Sequence, residues 1–149
     1  MRYASSRDEA EDMLQDGFVK VFQRFDSFKE DGPLGAWVRR VILNTALQHI
    51  RDNKNLKMHI ELEKAQVVSN DFDEILSGIA LDELRQKIQQ LPDGCRGVFN
   101  LYAIEGYKHR EIAEHLDISV GTSKSQYNRA RMILQTMIKT EQEVSGQAI

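Results

Sequence analysis

Apolar residues recur at three- and four-residue steps through most of this chain, and no segment sustains a period-two alternation with β-branched residues. That spacing constrains the fold more than any other feature. It suits amphipathic helices and leaves nothing from which to build a sheet. Both prolines, Pro33 and Pro92, stand between periodic segments, where a residue without an N–H disturbs a helix least. The expected fold class is all-α, with two small helical modules joined by a linker.

The first helix is expected from about Asp8 to Phe25, with Met13, Leu14, Phe18, Val21, Phe22 and Phe25 in helical phase. Asp8, Glu9, Glu11 and Asp12 load its first turns, which suits the positive end of a helix dipole. The loop SFKEDG ends it, and Pro33 opens a second helix running to about Asp52. Leu34, Trp37, Val38, Val41, Ile42 and Ile50 fall on one side of that helix, with Arg39, Arg40, Asn44 and Arg51 elsewhere. Periodicity then fades between Asn53 and Ser77, a stretch with room for one or two helical turns. The organisation expected is an N-terminal module over residues 1–54, a linker over 55–78, a C-terminal module over 79–139 and a tail over 140–149. The modules are expected to touch little.

In the C-terminal module, Leu81, Leu84 and Ile88 mark a short helix stopped at Leu91–Pro92. Val98, Phe99, Leu101, Tyr102 and Ile104 mark another over about 95–105, with Gly106 as its C-terminal cap. The stretch EIAEHLDISVGTSKSQYNRARMIL supplies two more. Ile112, Ala113 and Leu116 share a face, Asp117 tolerates a left-handed turn, and Ser119 can cap the last helix. On that helix Val120, Ser123, Tyr127, Ala130, Leu134 and Met137 form one seam. Gly121, Ser125, Asn128 and Arg129 point away from it, with Lys124 and Arg131 on the flanks. A packed seam opposite a polar, cationic face is the layout of a helix-turn-helix whose second helix enters a DNA major groove. Asn can read adenine, Arg and Lys can read guanine, and Ser or Thr can hold phosphate. A plain helical hairpin with a solvated face has the same pattern.

Charge narrows the choice. The chain carries a net charge of −3, yet residues 37–60 hold five Lys and Arg against one Asp, and residues 107–139 hold six against three acids. Nucleic-acid binding by such a chain has to be local. The single cysteine, Cys95, allows no intramolecular disulfide and reads as a small half-buried hydrophobe. His49, His59, His109 and His115 are not spaced as metal ligands, and no Gly-rich phosphate loop is present, so neither metal, cofactor nor enzymatic activity is expected. No apolar run is long enough for membrane insertion and no signal peptide opens the chain, so a cytoplasmic location is expected.

The stretch LPDGCRGVFNLYAIEGYKHREIAEHLDISVGTSKSQYNRAR closely resembles the fourth conserved region of bacterial sigma factors of the extracytoplasmic-function type. Independently, AEDMLQDGFVKVF and GAWVRRVILNTALQHIR resemble the second region of the same family. Two matches in the right order cover most of residues 8–139. The resemblance implies a protein that binds core RNA polymerase and promoter DNA and is held by an anti-sigma factor. It implies that Asp12, Gln15, Asp16 and Phe18 dock on the polymerase β′ clamp. Trp37, Arg39, Arg40, Asn44 and Arg51 then engage the −10 element. Arg110, Thr122, Lys124, Ser125, Asn128, Arg129 and Arg131 then serve the −35 element. Trp37 fits two roles, since its helical phase also suits the core, while an aromatic in a basic segment suits stacking on an opened strand.

The sequence departs from the family pattern in places. Gln48 stands where Asp is common, Asp117 replaces a turn Gly, and Ser123 and Tyr127 replace aliphatics, which should loosen the recognition helix. The family pattern starts about one helix earlier, which implies a truncation or a short member and an apolar patch where that helix would pack. Two other readings stay open: a helix-turn-helix regulator acting without polymerase through residues 80–139, and a helical module that titrates an anti-sigma factor.

Overall fold

The computed structural model describes residues 2–54 and 72–147, and among these all regular structure is helical. Helix α1 spans Arg7–Gln23. The Ser6 hydroxyl caps it by accepting from the Glu9 N–H at 3.1 Å, and the Glu9 carboxylate accepts from the Ser5 N–H and hydroxyl at 2.6 and 2.7 Å. Burial raises the Glu9 pKa, but the Ser5 hydrogen bonds outweigh it and hold the carboxyl below its usual value. A 3₁₀ turn at Phe25–Ser27 leads to α2, Leu34–Lys54, whose first turn bonds back to the Pro33 carbonyl. Met13, Gly17 and Val21 form the buried side of α1. Gly17 sets its approach to α2: a Cβ there would lie 3.1–3.3 Å from atoms of Ile42.

Helix α3 is short, Phe72–Ser77, and is followed by α4 (Leu81–Gln89) and α5 (Asp93–Phe99). A π turn over Asn100–Ile104 extends α5 and closes on Gly106, whose φ of 77° only glycine adopts freely. Helices α6 (His109–Leu116) and α7 (Val120–Gln147) complete the chain. Arg96, buried, ties α4 to α5: its guanidinium donates to the carbonyls of Gln89 and Leu91 and pairs with Asp93 at 2.8 Å. Lys87, also buried, pairs with Glu141 of α7. Each buried cation thus satisfies a helix end or an acid, the condition under which burial is tolerated.

One apolar cluster joins Phe72, Ile88, Leu91, Cys95, Phe99, Ala130 and Leu134. The expected linker over 55–78 therefore contains a core residue: Phe72 is fully enclosed and meets Phe99 edge-on at 6.4 Å. The reading of residues 55–71 as linker lies outside the described residues.

The expectation that the two modules touch little does not hold. A second cluster unites Leu47 of α2 with Val98, Leu101, Ile112 and Leu116 of the C-terminal helices, with Leu43 and Ile50 packed against it. Helix α2 is apolar on two faces. One of them carries Ile42 and Ala46 toward α1, and the other carries Leu43 and Leu47 toward α5 and α6. The N-terminal strap adds polar ties, since Gln89 donates to the Ala4 carbonyl at 2.9 Å and Asn100 to that of Arg2 at 2.8 Å.

Candidate nucleic-acid interface

Helices α6 and α7 form a helix-turn-helix. Asp117 ends α6 in the left-handed region, at φ 54° and ψ 52°, and the Ile118 N–H returns to the Ala113 carbonyl at 3.0 Å. The Ser119 hydroxyl then accepts from the Thr122 N–H at 2.9 Å and caps α7. The buried seam runs through Ser123, Gln126, Ala130, Leu134 and Ile138, so it drifts one residue beyond the expected Met137. The two departures expected to loosen the helix are filled instead. His109 Nδ1 lies 2.9 Å from the buried Ser123 hydroxyl, and Tyr102 stacks on the His109 ring at 4.4 Å and meets Tyr127 at 4.5 Å. Burial lowers the His109 pKa, and the nearby Lys124 charge lowers it further. Gln126, inside the seam, accepts from the Cys95 thiol at 2.9 Å, and burial pushes that thiol up to about 11.

Lys124, Arg129 and Arg110 are exposed, and Asn128 is half-buried. The hydroxyls of Thr122 and Ser125 are already engaged, with Ser119 at 2.8 Å and the Thr122 carbonyl at 3.0 Å. Arg131 stands apart from this set, its guanidinium 4.8 Å above the Phe72 ring.

On α2, Trp37 is half-buried between Phe25 and Phe28, with ring centroids at 6.4 and 5.5 Å. One side of it still walls an open cavity of about 410 Å³ shared with Phe28, Pro33, Ala36 and Arg40. The two roles weighed for Trp37 are therefore compatible. Arg40 and Asn44 are exposed. Arg39 and Arg51 are turned to the other module. Arg39 pairs with Glu105 at 2.6 Å, and Arg51 donates to the carbonyls of Glu114 and His115 at the end of α6.

On α1, Asp12, Gln15 and Phe18 are exposed, while Asp16 bonds His49 of α2 at 2.8 Å. Leu14, Phe18, Phe22 and Phe25 form an exposed apolar stripe, with Phe22 79% accessible. Sequence reasoning missed Glu105 and Arg2, whose pairing at 2.9 Å joins the strap to the π turn. The only signal was the Glu-Gly step at the end of the α5 pattern. Among the described residues no group of His, Cys, Asp and Glu is arranged to hold a metal ion, and no helix is long and apolar enough to cross a membrane.

Comparison with known proteins bears on this arrangement. Residues 1–56 match the family model for sigma-70 region 2, and residues 81–134 match that for sigma-70 region 4. The chain is 30% identical to the RNA polymerase sigma-H factor of Pseudomonas aeruginosa, over 88% of this chain and 74% of that protein. It is 30% identical to the ECF RNA polymerase sigma factor SigW of Bacillus subtilis, over 88% and 76%. It is also 30% identical to the ECF RNA polymerase sigma-E factor of Escherichia coli K12, over 93% and 78%. Its fold resembles that of the sigma factor RpoE from Bartonella quintana, solved with the anti-sigma factor NepR, with a TM-score of 0.54 at 23% identity over 93% of this chain and 86% of that one. With both conserved regions present in order on a helical scaffold, this chain belongs to the sigma-70 family, in its extracytoplasmic-function group.

Proposed function

We propose that this sigma factor brings core RNA polymerase to promoters by dividing the reading of DNA between its two modules. Helix α7 serves the −35 element. The observation that carries this is that Lys124, Arg129 and Arg110 are exposed and Asn128 half-buried, while the seam of α7 through Ser123, Ala130 and Leu134 is buried. Helix α2 serves the −10 element, where the half-open Trp37 face and the exposed Arg40 offer stacking and charge to an unpaired base. Helix α1 docks on the polymerase clamp through Asp12, Gln15 and Phe18. Asp16 joins that set only if it is released from His49. The chain supplies recognition and leaves bond formation to polymerase, in the cytoplasm, and an anti-sigma factor is its expected antagonist.

Transcription in vitro with core polymerase over a library of promoters tests the reading. Transcripts that start at a shared pair of −10 and −35 motifs, and that require both core enzyme and this chain, support it. Duplex binding that needs no polymerase and recruits none would instead favour a free helix-turn-helix regulator.

A further inference from the structure

Helix α1 carries an apolar row that the fold leaves open. Leu14, Phe18 and Phe22 follow one another at four-residue steps with Val19 beside them, and Phe25 continues the row into the 3₁₀ turn. All five are close to half accessible or more. A large apolar side chain offers roughly 150–250 Å², so together they leave on the order of 500 Å² of apolar surface in water. Single exposed apolar residues are ordinary, but a contiguous row of this size marks an interface.

Area and charge both favour a second copy of this chain as the occupant. Two copies that cover each other's rows bury about 1,000 Å² of apolar surface before any polar rim is counted, which reaches the lower bound of a specific interface. A single row along one helix suits a two-fold pair, in which the same patch serves both chains. Charge then sets the direction. Residues 7–16 carry five acids against Arg7, whereas residues 17–24 carry Lys20 and Arg24 and no acid. Antiparallel pairing lays the acidic half of one helix along the basic half of its partner and opposes the two helix dipoles. Parallel pairing sets acids against acids.

We propose that two copies of this chain pair antiparallel through the α1 row, crossing near Phe18, and that the pair is a storage form which core polymerase displaces. Exclusion of polymerase rests on the reading of α1 as the clamp-docking helix, because Phe18 then serves both contacts. By mass action, chain in excess of polymerase collects in the pair, and dilution or free polymerase releases it.

The test uses the full chain. Sedimentation equilibrium from low to high micromolar concentration should show a mass rising toward twice the 17.2 kDa of one chain. Phe22→Asp and Leu14→Asp, each checked by circular dichroism for retained helices, should weaken pairing at least about 30-fold. Val144→Asp, the same change at an exposed apolar position on α7, should leave it intact. Spin labels on Asp8→Cys, with the buried Cys95 left unlabelled, should lie about 30 Å apart across the pair at a rise of ~1.5 Å per residue. Core polymerase added to the wild-type pair should yield a complex with a single copy. A chain that stays monomeric, or a pair indifferent to both Asp variants, overturns the proposal, and continued binding of that chain to core enzyme leaves the clamp reading standing. Labels within about 15 Å of each other, as parallel helices 8–10 Å apart would place them, overturn the antiparallel geometry. Two copies on one polymerase overturn the exclusion. If the chain pairs through the row but neither wild type nor Val144→Asp binds core enzyme, the clamp reading fails and the exclusion with it, while the pair stands.

Discussion

Asp117 is the one residue of the C-terminal helices α4 to α7 held at a positive φ without being glycine. Left-handed backbone costs a non-glycine residue roughly 1 kcal/mol, less for Asp than for most. Asp117→Gly should therefore stabilise the chain by up to about 1 kcal/mol, read as a rise of a few degrees in melting temperature, with DNA binding unchanged. The side chains facing away from the seam behave differently. Alanine at Asn128 or Arg129 should cost about 1–3 kcal/mol of specific binding and relax preference at one base position, while alanine at Arg110 should weaken all sequences alike and flatten the salt slope by about one. Binding titrations at two salt concentrations separate the cases, and retention of specific affinity by the Lys124, Asn128 and Arg129 triple variant would exclude α7 as the reader. His109 supplies a pH test. Its folded pKa lies below its unfolded value because burial, then Lys124, disfavours the imidazolium. The unfolded chain therefore binds more protons through that window. The contribution is complete above about pH 6.5 and is lost as pH falls toward the folded pKa. Thermal melts from pH 8 to 5 should show this loss, and His109→Asn should remove that part of the slope. The outward side of α7 was legible residue by residue, because a helix wheel sorts Lys124, Asn128 and Arg129 from the buried Ser123 and Ala130. The filling of the seam was not, because the partners of Ser123 and Tyr127 are His109 and Tyr102, on other turns of the chain.

At the scale of helices, α1 and α2 are joined at the narrowest point by Gly17. Alanine there would gain helix propensity of about 1 kcal/mol. Its Cβ, however, would sit 3.1 Å from the Ile42 side chain and 3.2 Å from the Ile42 Cα, and backbone cannot rotate aside. Overpacking of this kind costs about 1–3 kcal/mol, so the net effect of Gly17→Ala should be destabilising by up to about 2 kcal/mol. Denaturation by urea measures it, and a more stable variant would show that the helices can slide apart. The long helices could be read from spacing because their periodicity repeats over several turns. Helix α3 could not. Its six residues complete fewer than two turns, and what holds it is Phe72 entering a cluster built by α4, α5 and α7. The π turn after α5 was likewise hidden inside a stretch that reads as plain helix, since packing rather than local preference sets its wide ring.

Over the whole molecule, the two modules share a core that their separate patterns did not announce. Each of Leu43, Leu47 and Ile50 reads as an ordinary apolar position on a helix that already has a packed side, and no local rule says that a second side is covered. The Arg2–Glu105–Arg39 tie spans residues far apart in sequence, which spacing cannot reveal. The shared core has a thermodynamic consequence. Because Leu47 is buried with Val98, Leu101, Ile112 and Leu116, neither module can unfold without exposing apolar surface of the other. Calorimetry of the wild-type chain should give one transition whose calorimetric and van't Hoff enthalpies agree. Leu47→Ala removes about 2–5 kcal/mol if the cavity stays closed, and less if the modules part and admit water. In the second case the loss appears as a split, with one transition for residues around α1 and α2 and another for α4 to α7. Two transitions already present in the wild type would show that the shared cluster does not couple the modules. A single transition in Leu47→Ala, shifted down by the full cavity cost, would show that the polar ties of Glu105 and Arg51 hold the modules together without it.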